Sequence, residues 1–370
     1  MTETYRVPLM RPTLVNYSEV EESLREVWRS GRITLGAQVA KLEQIFAEFC
    51  GARHAVAVSS CTSGLMLVFR ALDLAGRAIV PAFTWASTGH ALVWNGVAPV
   101  FCDCEPGYLT LDPHRVDALI TEDVSAIVAA NIFGLPPALD ALGKIAQRRG
   151  IPLIVDSAQG LGSSYRGVPS GGFGDAEVFS LSPTKGVTAG EGGMVTTNDD
   201  ALAAKVRSLR DYGKGDDGDI TGVGLSARMS EFHAAIAVKN ARDLKRNLEL
   251  RAGLVATYRE LLGDIPVLRF QEVPKDRVSC HNYCVVFVDE NHAVGRDILH
   301  ELLGTRGIET KKYFHPPLHL QTAYAAFRSR YEGNLPVTEK ASREGLALPL
   351  YPQMKREDVQ FVCEAIREMI

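Results

Sequence analysis

The chain lacks a long apolar run, a basic excess and a cysteine pattern, and each absence removes a class of function. No stretch approaches the ~18 apolar residues that a membrane span requires. The opening Met1-Thr2-Glu3-Thr4-Tyr5-Arg6 is polar, so neither an export signal nor an anchor is expected and the protein reads as cytoplasmic. Lys and Arg number 40 against 44 Asp and Glu, for a formal net charge of -4. That balance leaves no broad basic field for a nucleic acid backbone or an anionic membrane surface. The seven cysteines (50, 61, 102, 104, 280, 284 and 363) include no CxxC pair and are odd in number. In a chain far too large to need stapling, they read as reduced thiols. Cys102-Asp103-Cys104 is close-set, but no second ligand pair follows at zinc spacing, so the segment reads as a strand end and no metal is expected. No GxGxxG follows an early strand, and Gly190-Glu191-Gly192-Gly193 has the wrong spacing and position for one. A nicotinamide dehydrogenase is thereby disfavoured.

What is present is enough apolar material, 46% of 370 residues, for one large core and one smaller one. From about residue 55 to 155, short β-rich runs (AVAVSS, AIVP, APVFCD, SAIVAAN, PLIVD) alternate with helical stretches. Two more strands, at 176–180 and 194–197, flank a loop around Lys185. The rhythm predicts an α/β fold: a mostly parallel seven-stranded sheet, its strands buried on both faces and covered by helices. A helix is expected at 201–209, and a long one from 229 to 262 bridging two domains. A strand at 279–288, a helix at 294–303 and an amphipathic helix at 356–369 indicate a smaller α+β domain. The division is placed at 1–245 and 246–370. Gly213 to Asp219, rich in Gly and Asp, reads as a mobile loop.

Lys185 lies in Phe179-Ser180-Leu181-Ser182-Pro183-Thr184-Lys185-Gly186-Val187-Thr188-Ala189-Gly190-Glu191-Gly192-Gly193, an isolated base among small and hydroxylated residues. It is either a solvated loop lysine or an amine kept for covalent chemistry, and the cofactor that most commonly uses such an amine is pyridoxal phosphate. That cofactor needs an amine, an acid for its ring nitrogen, a partner for its phenolic oxygen, a flat face and a phosphate cradle. Asp156 ends the strand Pro152-Leu153-Ile154-Val155, where a carboxylate points into the ligand crevice of a parallel sheet, although a helix N-cap is the plain alternative. Gln159 follows three residues on and can donate to the phenolic oxygen. Thr62 and Ser63 open a helix after the first strand, so hydroxyls and free N–H groups converge where a phosphate can sit; an ordinary Ser/Thr cap is the alternative. Ser180 offers another hydroxyl. Trp85 offers an indole, unless it serves core packing.

As a set, these residues resemble the sugar aminotransferases of the DegT/DnrJ/EryC1/StrS group. The likeness runs nearly end to end: Gly31-Arg32-Ile33-Thr34-Leu35-Gly36, the Thr62-Ser63 turn, Phe83-Thr84-Trp85, Asp156-Ser157-Ala158-Gln159, Ser180 to Gly193, Arg228-Met229-Ser230-Glu231-Phe232-His233-Ala234-Ala235, His319-Leu320-Gln321 and Asn334-Leu335-Pro336-Val337-Thr338-Glu339. The resemblance implies the aspartate aminotransferase fold and a pyridoxal phosphate cofactor that passes through pyridoxamine phosphate. It implies that Lys185 carries the cofactor and shuttles the proton, Asp156 pairs with the ring nitrogen, Gln159 meets the phenolic oxygen, Trp85 stacks, and Thr62, Ser63 and Ser180 hold the phosphate. Thr34, Leu35, Arg228 and His319, with the Lys214 loop, are the expected substrate contacts.

Two departures stand out. Ser226-Ala227 replaces the Asn-containing pair before Arg-Met, and that Asn in the family reaches the phosphate of the neighbouring subunit's cofactor; Ser226 is shorter. Val155-Asp156-Ser157 keeps the Asp and loses its flanking acid. By the same resemblance the amino donor is L-glutamate, the acceptor a nucleotide-linked ketodeoxysugar and the assembly a homodimer with each cofactor at the subunit interface. The run from Arg228 to His233 looks more like members that aminate at C4 than at C3, which makes a dTDP-4-keto-6-deoxyhexose the first expectation. The alternatives are a 3-keto sugar nucleotide, a free cyclitol ketone, and, in another class, a non-catalytic regulator that binds pyridoxal phosphate.

Overall fold

Five apolar strands follow one another through the first half of the chain: β1 (His54–Val58), β2 (Arg77–Pro81), β3 (Ala98–Cys102), β4 (Val124–Ala130) and β5 (Leu153–Asp156). A hairpin of two-residue strands, β6 (Ser164–Tyr165) and β7 (Val168–Pro169), then leaves the sheet, and β8 (Ala176–Ser180) and β9 (Gly193–Thr197) return to it. The seven strands stand in the order β1-β9-β8-β5-β4-β2-β3. Only β9 is reversed, running antiparallel to both β1 and β8. Val56, Ile79, Ala126, Ile154 and Val178 are fully buried, which is why these strands read as continuous apolar runs rather than alternating ones. The structure, a computed structural model, describes residues 5–215 and 217–370. Residues 1–4 of the polar opening, and Asp216 of the loop expected to be mobile, lie outside the described residues.

Helices cover both faces. α1 (Tyr17–Ser30) and α2 (Ala37–Cys50) precede the sheet, and α3 (Cys61–Ala71), α4 (Ala86–Trp94), α5 (Pro113–Leu119), α6 (Leu139–Arg149) and α7 (Asp200–Leu209) connect or follow its strands. α2 begins at Gly36 without a side-chain cap of its own. Its free N–H groups are met from elsewhere: the Glu231 carboxylate accepts from Gly36, Gln38 and Val39, each at 2.8 Å.

The single helix expected over 229–262 is two. α8 (Glu231–Asn240) ends in a 3₁₀ turn at Ala241–Asp243, and α9 (Leu244–Leu262) starts anew. The break falls at Asn240, whose amide donates to the Thr188 carbonyl (2.8 Å) and accepts from Val15 N–H (2.9 Å), so its side chain is committed to other segments. The strand expected over 279–288 is also shorter. His281 has φ +48°, which no strand accommodates, and regular pairing begins at Cys284.

In the last third, β10 (Leu268–Phe270), β12 (Cys284–Val288) and β13 (Gly345–Leu348) form an antiparallel sheet, while β11 (Arg277–Val278) pairs with β6. α10 (Arg296–Thr305), α11 (Ala325–Tyr331), α12 (Pro336–Glu344) and α13 (Arg356–Met369) complete it. Val286, Leu299, Leu303, Leu346, Val362 and Ile366 share a core with Tyr258 of α9. That core supports a division at 245/246 as a proposal, with two crossings. Val7, near the chain start, packs into it, and Leu318, Tyr324 and Leu335 pack back onto the large core.

Candidate active site

The carboxyl ends of β1, β2, β4, β5 and β8 open on one edge of the sheet, the edge where parallel sheets bind ligands. A cavity of about 300 Å³ lies there. Successive strand ends supply its wall: Ser60, Cys61 and Thr62 after β1, Thr84 and Trp85 after β2, Asn131 after β4, Asp156 at the end of β5 and Ser180 at the end of β8. Lys185 reaches it from the loop between β8 and β9.

Asp156 is 5% exposed. Its Oδ1 accepts from Ala158 N–H (3.0 Å) and its Oδ2 from the Thr88 hydroxyl (2.7 Å). No helix starts here, so the cap alternative fails: the carboxylate closes a turn and faces the cavity. Burial pushes its pKa above the ordinary carboxylate value, while Thr88, Ala158 and the Lys185 charge pull it back. A carboxyl held this way gains most from a cationic N–H partner. Gln159 is buried, and its Oε1 accepts from Phe133 N–H at 2.7 Å. With the oxygen committed, the amide NH₂ is the end left for a ligand.

The lysine has an aromatic surround. Its Nζ stands 5.8 Å from the Tyr283 ring centroid, Tyr283 and Tyr313 lie 4.9 Å apart, and Lys311 Nζ sits over Tyr313 (5.0 Å) and Trp85 (5.4 Å). Burial works to raise the Tyr283 phenol, but the Lys185 charge and hydrogen bonds with Thr184 and Tyr313 outweigh it, and the phenol is held below its ordinary value. Burial and the neighbouring phenol push Tyr313 the other way.

The remaining expected site residues divide. Thr62 lines the cavity and donates to Ser87 (3.0 Å), and Ser180 lines it beside Ser182 (3.2 Å). Trp85 lines it too and is half exposed, so it is not a core residue. Ser63 does not face the cavity: its hydroxyl meets Ser60 and Ser59, and its N–H is capped by Ser60 (3.0 Å), as an ordinary helix start requires. His319 is a correction. It is fully buried, it packs near Phe101 and it bonds Glu339 at 3.2 Å, so a sugar cannot reach it. An enclosed histidine and an exposed one look the same in sequence.

Ser226, Arg228 and Lys214 form a separate cluster that does not line this cavity. Arg228 pairs with Asp211, bonds Ser226 (3.1 Å) and lies over Tyr212 (5.1 Å), while Lys214 bonds Asp211 (3.4 Å). Thr34 bonds the Met229 carbonyl (3.1 Å), and Leu35, at φ +47°, gives its carbonyl to Arg32 (2.6 Å). Both sit beside that cluster's chain segment. Sequence reasoning passed over Asn131, Thr88, Tyr283, Tyr313 and Lys311. Asn131 carries a usable signal, because it directly follows a buried strand at the edge where Asp156 ends the next one. The other four come from chain segments that only the fold brings together.

The DegT/DnrJ/EryC1/StrS aminotransferase family model matches residues 16–367. A "pleiotropic regulatory protein" of Geobacillus stearothermophilus is 37% identical over 360 residues, 95% of this chain and 94% of its own. Among solved structures, DesI in the presence of its TDP-sugar product superposes with a TM-score of 0.93 at 35% identity, over 99% of this chain and 93% of that one. DesV of S. venezuelae gives 0.92 at 31%, over 99% and 98%.

Proposed function

Because the chain belongs to the DegT/DnrJ/EryC1/StrS aminotransferase family, we propose that it moves an amino group from L-glutamate to C4 of a dTDP-linked 4-keto-6-deoxyhexose. In its broader class the protein is a pyridoxal-phosphate-dependent sugar aminotransferase. The nucleotide, the sugar and the donor are our reading, supported by the run from Arg228 to His233 and by the TDP-sugar product of DesI. One observation carries it: an amine, a buried acid and an amide NH₂ from Lys185, Asp156 and Gln159 meet in a single cavity.

The residues fit the cofactor. Pyridoxal phosphate supplies an aldehyde to take up nitrogen and a ring that accepts electrons when the substrate carbon loses its proton. Asp156, its pKa raised by burial and with no cationic hydrogen-bond partner among the described residues, would hold the ring nitrogen's proton. Gln159 would donate its free amide NH₂ to the phenolic oxygen. Thr62 and Ser180, with the first turn of α3, take the phosphate. Trp85, which lines the cavity, would stack on the ring face. Lys185 Nζ would hold the cofactor and then move a proton on and off the substrate carbon that exchanges nitrogen, a task for one flexible amine rather than two fixed acids.

The Ser226–Arg228 cluster finds its use in a two-fold dimer, where it faces the partner's cavity. Exposed Tyr212 (46%), Ile220 (54%) and Val223 (75%) on the same stretch support that surface. Mixing Lys185→Ala with Arg228→Ala subunits tests it: if the sites are shared, the hybrid regains activity that neither parent has.

A regulator without turnover is the second reading, favoured by the name of the Geobacillus relative. Incubating the protein with pyridoxal phosphate, glutamate and a panel of keto-sugar nucleotides and cyclitol ketones, with mass detection of an aminated product, decides between them. Amination of a dTDP-4-keto sugar is expected. No product from any member of the panel would favour the regulator.

A further inference from the structure

Asn131 lines the cavity and carries one buried polar atom with no hydrogen-bond partner among the described residues, its Oδ1. Asn131 is 3% exposed, so water does not readily replace the missing partner. Its other amide end is engaged: Nδ2 donates to Ser157 Oγ at 2.9 Å. Ser157 in turn lies 2.5 Å from Oε2 of Glu177, whose Oε1 accepts from Gly171 N–H (2.6 Å) and Phe173 N–H (3.0 Å). Glu177 is on β8, 1% exposed and outside the cavity wall. A sealed carboxyl is thus joined to the ligand space by two hydrogen bonds.

The direction of those bonds depends on one proton. An ionised Glu177 only accepts, so Ser157 donates to it, the Ser157 oxygen accepts from the Asn131 NH₂, and Oδ1 is the amide end left for a ligand. A protonated Glu177 donates from Oε2 to Ser157. The serine hydroxyl then donates instead to Asn131, whose amide turns over to present Oδ1 as the acceptor, and NH₂ becomes the end left for a ligand. The one covalent change is the O–H bond that Glu177 forms with a proton taken from solvent; the rest are hydrogen bonds that reverse. We propose that Glu177 is a positioning residue for the cofactor site, setting through Ser157 which end of the Asn131 amide the bound cofactor meets.

The surroundings favour such a switch. Burial pushes the Glu177 carboxyl up to about 7, against the pull of Ser157 and the Gly171 and Phe173 amides, so both forms exist near neutrality. The groups facing it are Ser157 after β5, those two loop amides, Thr196 across β9 and the Cys50 thiol at the end of α2. Burial pushes Cys50 far above its ordinary value, with Glu177 adding to the rise, so it stays neutral throughout.

The inference rests on the cofactor assignment above, not on the identity of the sugar, and its test needs no turnover. Wild type, Glu177→Gln and Asn131→Ala are loaded with pyridoxal phosphate, and the dissociation constant is read from the visible absorption band between pH 5.5 and 8.5. The amide side chain in E177Q still accepts from Gly171 and Phe173 and donates to Ser157 as the protonated acid does, so it fixes the NH₂-inward form. The ratio of wild-type to E177Q dissociation constants should be near one at pH 5.5 and change about fivefold by pH 8.5, the worth of one hydrogen bond. In the N131A background the same substitution should leave the ratio flat. A constant ratio in the native background overturns the proposal, and so does a pH-dependent one that survives in N131A. If E177Q fails to fold, the wild-type to N131A ratio carries the same test and must itself change with pH. A wild type with no visible band overturns the cofactor assignment together with this inference; a band with a flat ratio overturns this inference alone.

Discussion

Glu231→Gln should destabilise the protein well beyond what a one-atom change suggests. The Glu231 carboxylate is 3% exposed and serves three backbone N–H groups at the start of α2, Oε1 taking Gly36 and Val39 and Oε2 taking Gln38. An amide side chain can keep its oxygen on the Gly36 and Val39 side. Its NH₂ then points at the Gln38 N–H, donor against donor, and a buried donor left without a partner costs about 1–3 kcal/mol. The two retained bonds lose their charge assistance, roughly 1 kcal/mol together. The helix start also loses a negative charge, worth about 1 kcal/mol when partly buried. With the middle of the first range, about 2 kcal/mol, the sum is about 4 kcal/mol. At about 2.1 cal/mol/K per residue, a chain of 370 residues has an unfolding entropy near 0.8 kcal/mol/K, so the midpoint should fall by about 5 °C. Circular dichroism melts of the cofactor-free proteins at one fixed concentration give the answer. A fall of less than about 1 °C would mean that the three amides find water or relax, and the capping argument would be wrong.

Further outcomes follow from the same geometry. Borohydride treatment in the presence of pyridoxal phosphate should add one cofactor mass to wild type at residue 185 and none to Lys185→Ala, read by peptide mass spectrometry; labelling elsewhere, or none, would refute the lysine's role. Lys185→Arg should abolish transamination while retaining affinity for the phosphate, checked by single-turnover assay and equilibrium dialysis. Asp156→Ala should lower transamination by more than about a hundredfold, within the usual range for a positioned acid, while leaving the mass adduct at residue 185. Glu177 should also give stability a particular pH slope. Its folded value, raised to about 7, exceeds the unfolded value near 4.5, so the folded state still binds a proton after the unfolded state has lost it. Stability from this group is therefore full below about pH 4.5 and declines as pH rises towards 7, by about 3 kcal/mol. Urea unfolding of E177Q should lack that decline, and parallel slopes in the two proteins would refute it.

The parts of the fold that are legible in the sequence are those where a single physical demand governs a whole segment. Strands buried on both faces must be apolar throughout, so the seven strands of the large sheet can be found from runs such as Ala55 to Val58 and Ile154 to Val155, and their carboxyl ends point to Asp156, Thr62 and Ser180. The opposite holds where two demands compete. Residues 229–262 have helical periodicity throughout, yet Asn240 spends its side chain on Thr188 and Val15, residues 52 and 225 positions away, and the helix breaks. Ser63 has the residue type of a phosphate ligand and of a cap, and its neighbours Ser59 and Ser60 decide for the cap. His319 looks available in the sequence because nothing local shows that Phe101 and Glu339 enclose it. Lys185, by contrast, can be singled out because no competing structural demand explains a base among Ser, Thr and Gly, and its aromatic partners Tyr283 and Tyr313 cannot, because aromatic residues satisfy a core equally well. A functional residue is legible, on this reasoning, to the degree that its chemistry is a poor solution to folding. By that criterion Glu177, an acid within the buried strand Ala176–Ser180, is the strongest signal beyond those: a carboxyl is among the costliest groups to bury, and Ser157 and Asn131 give it a route to the site.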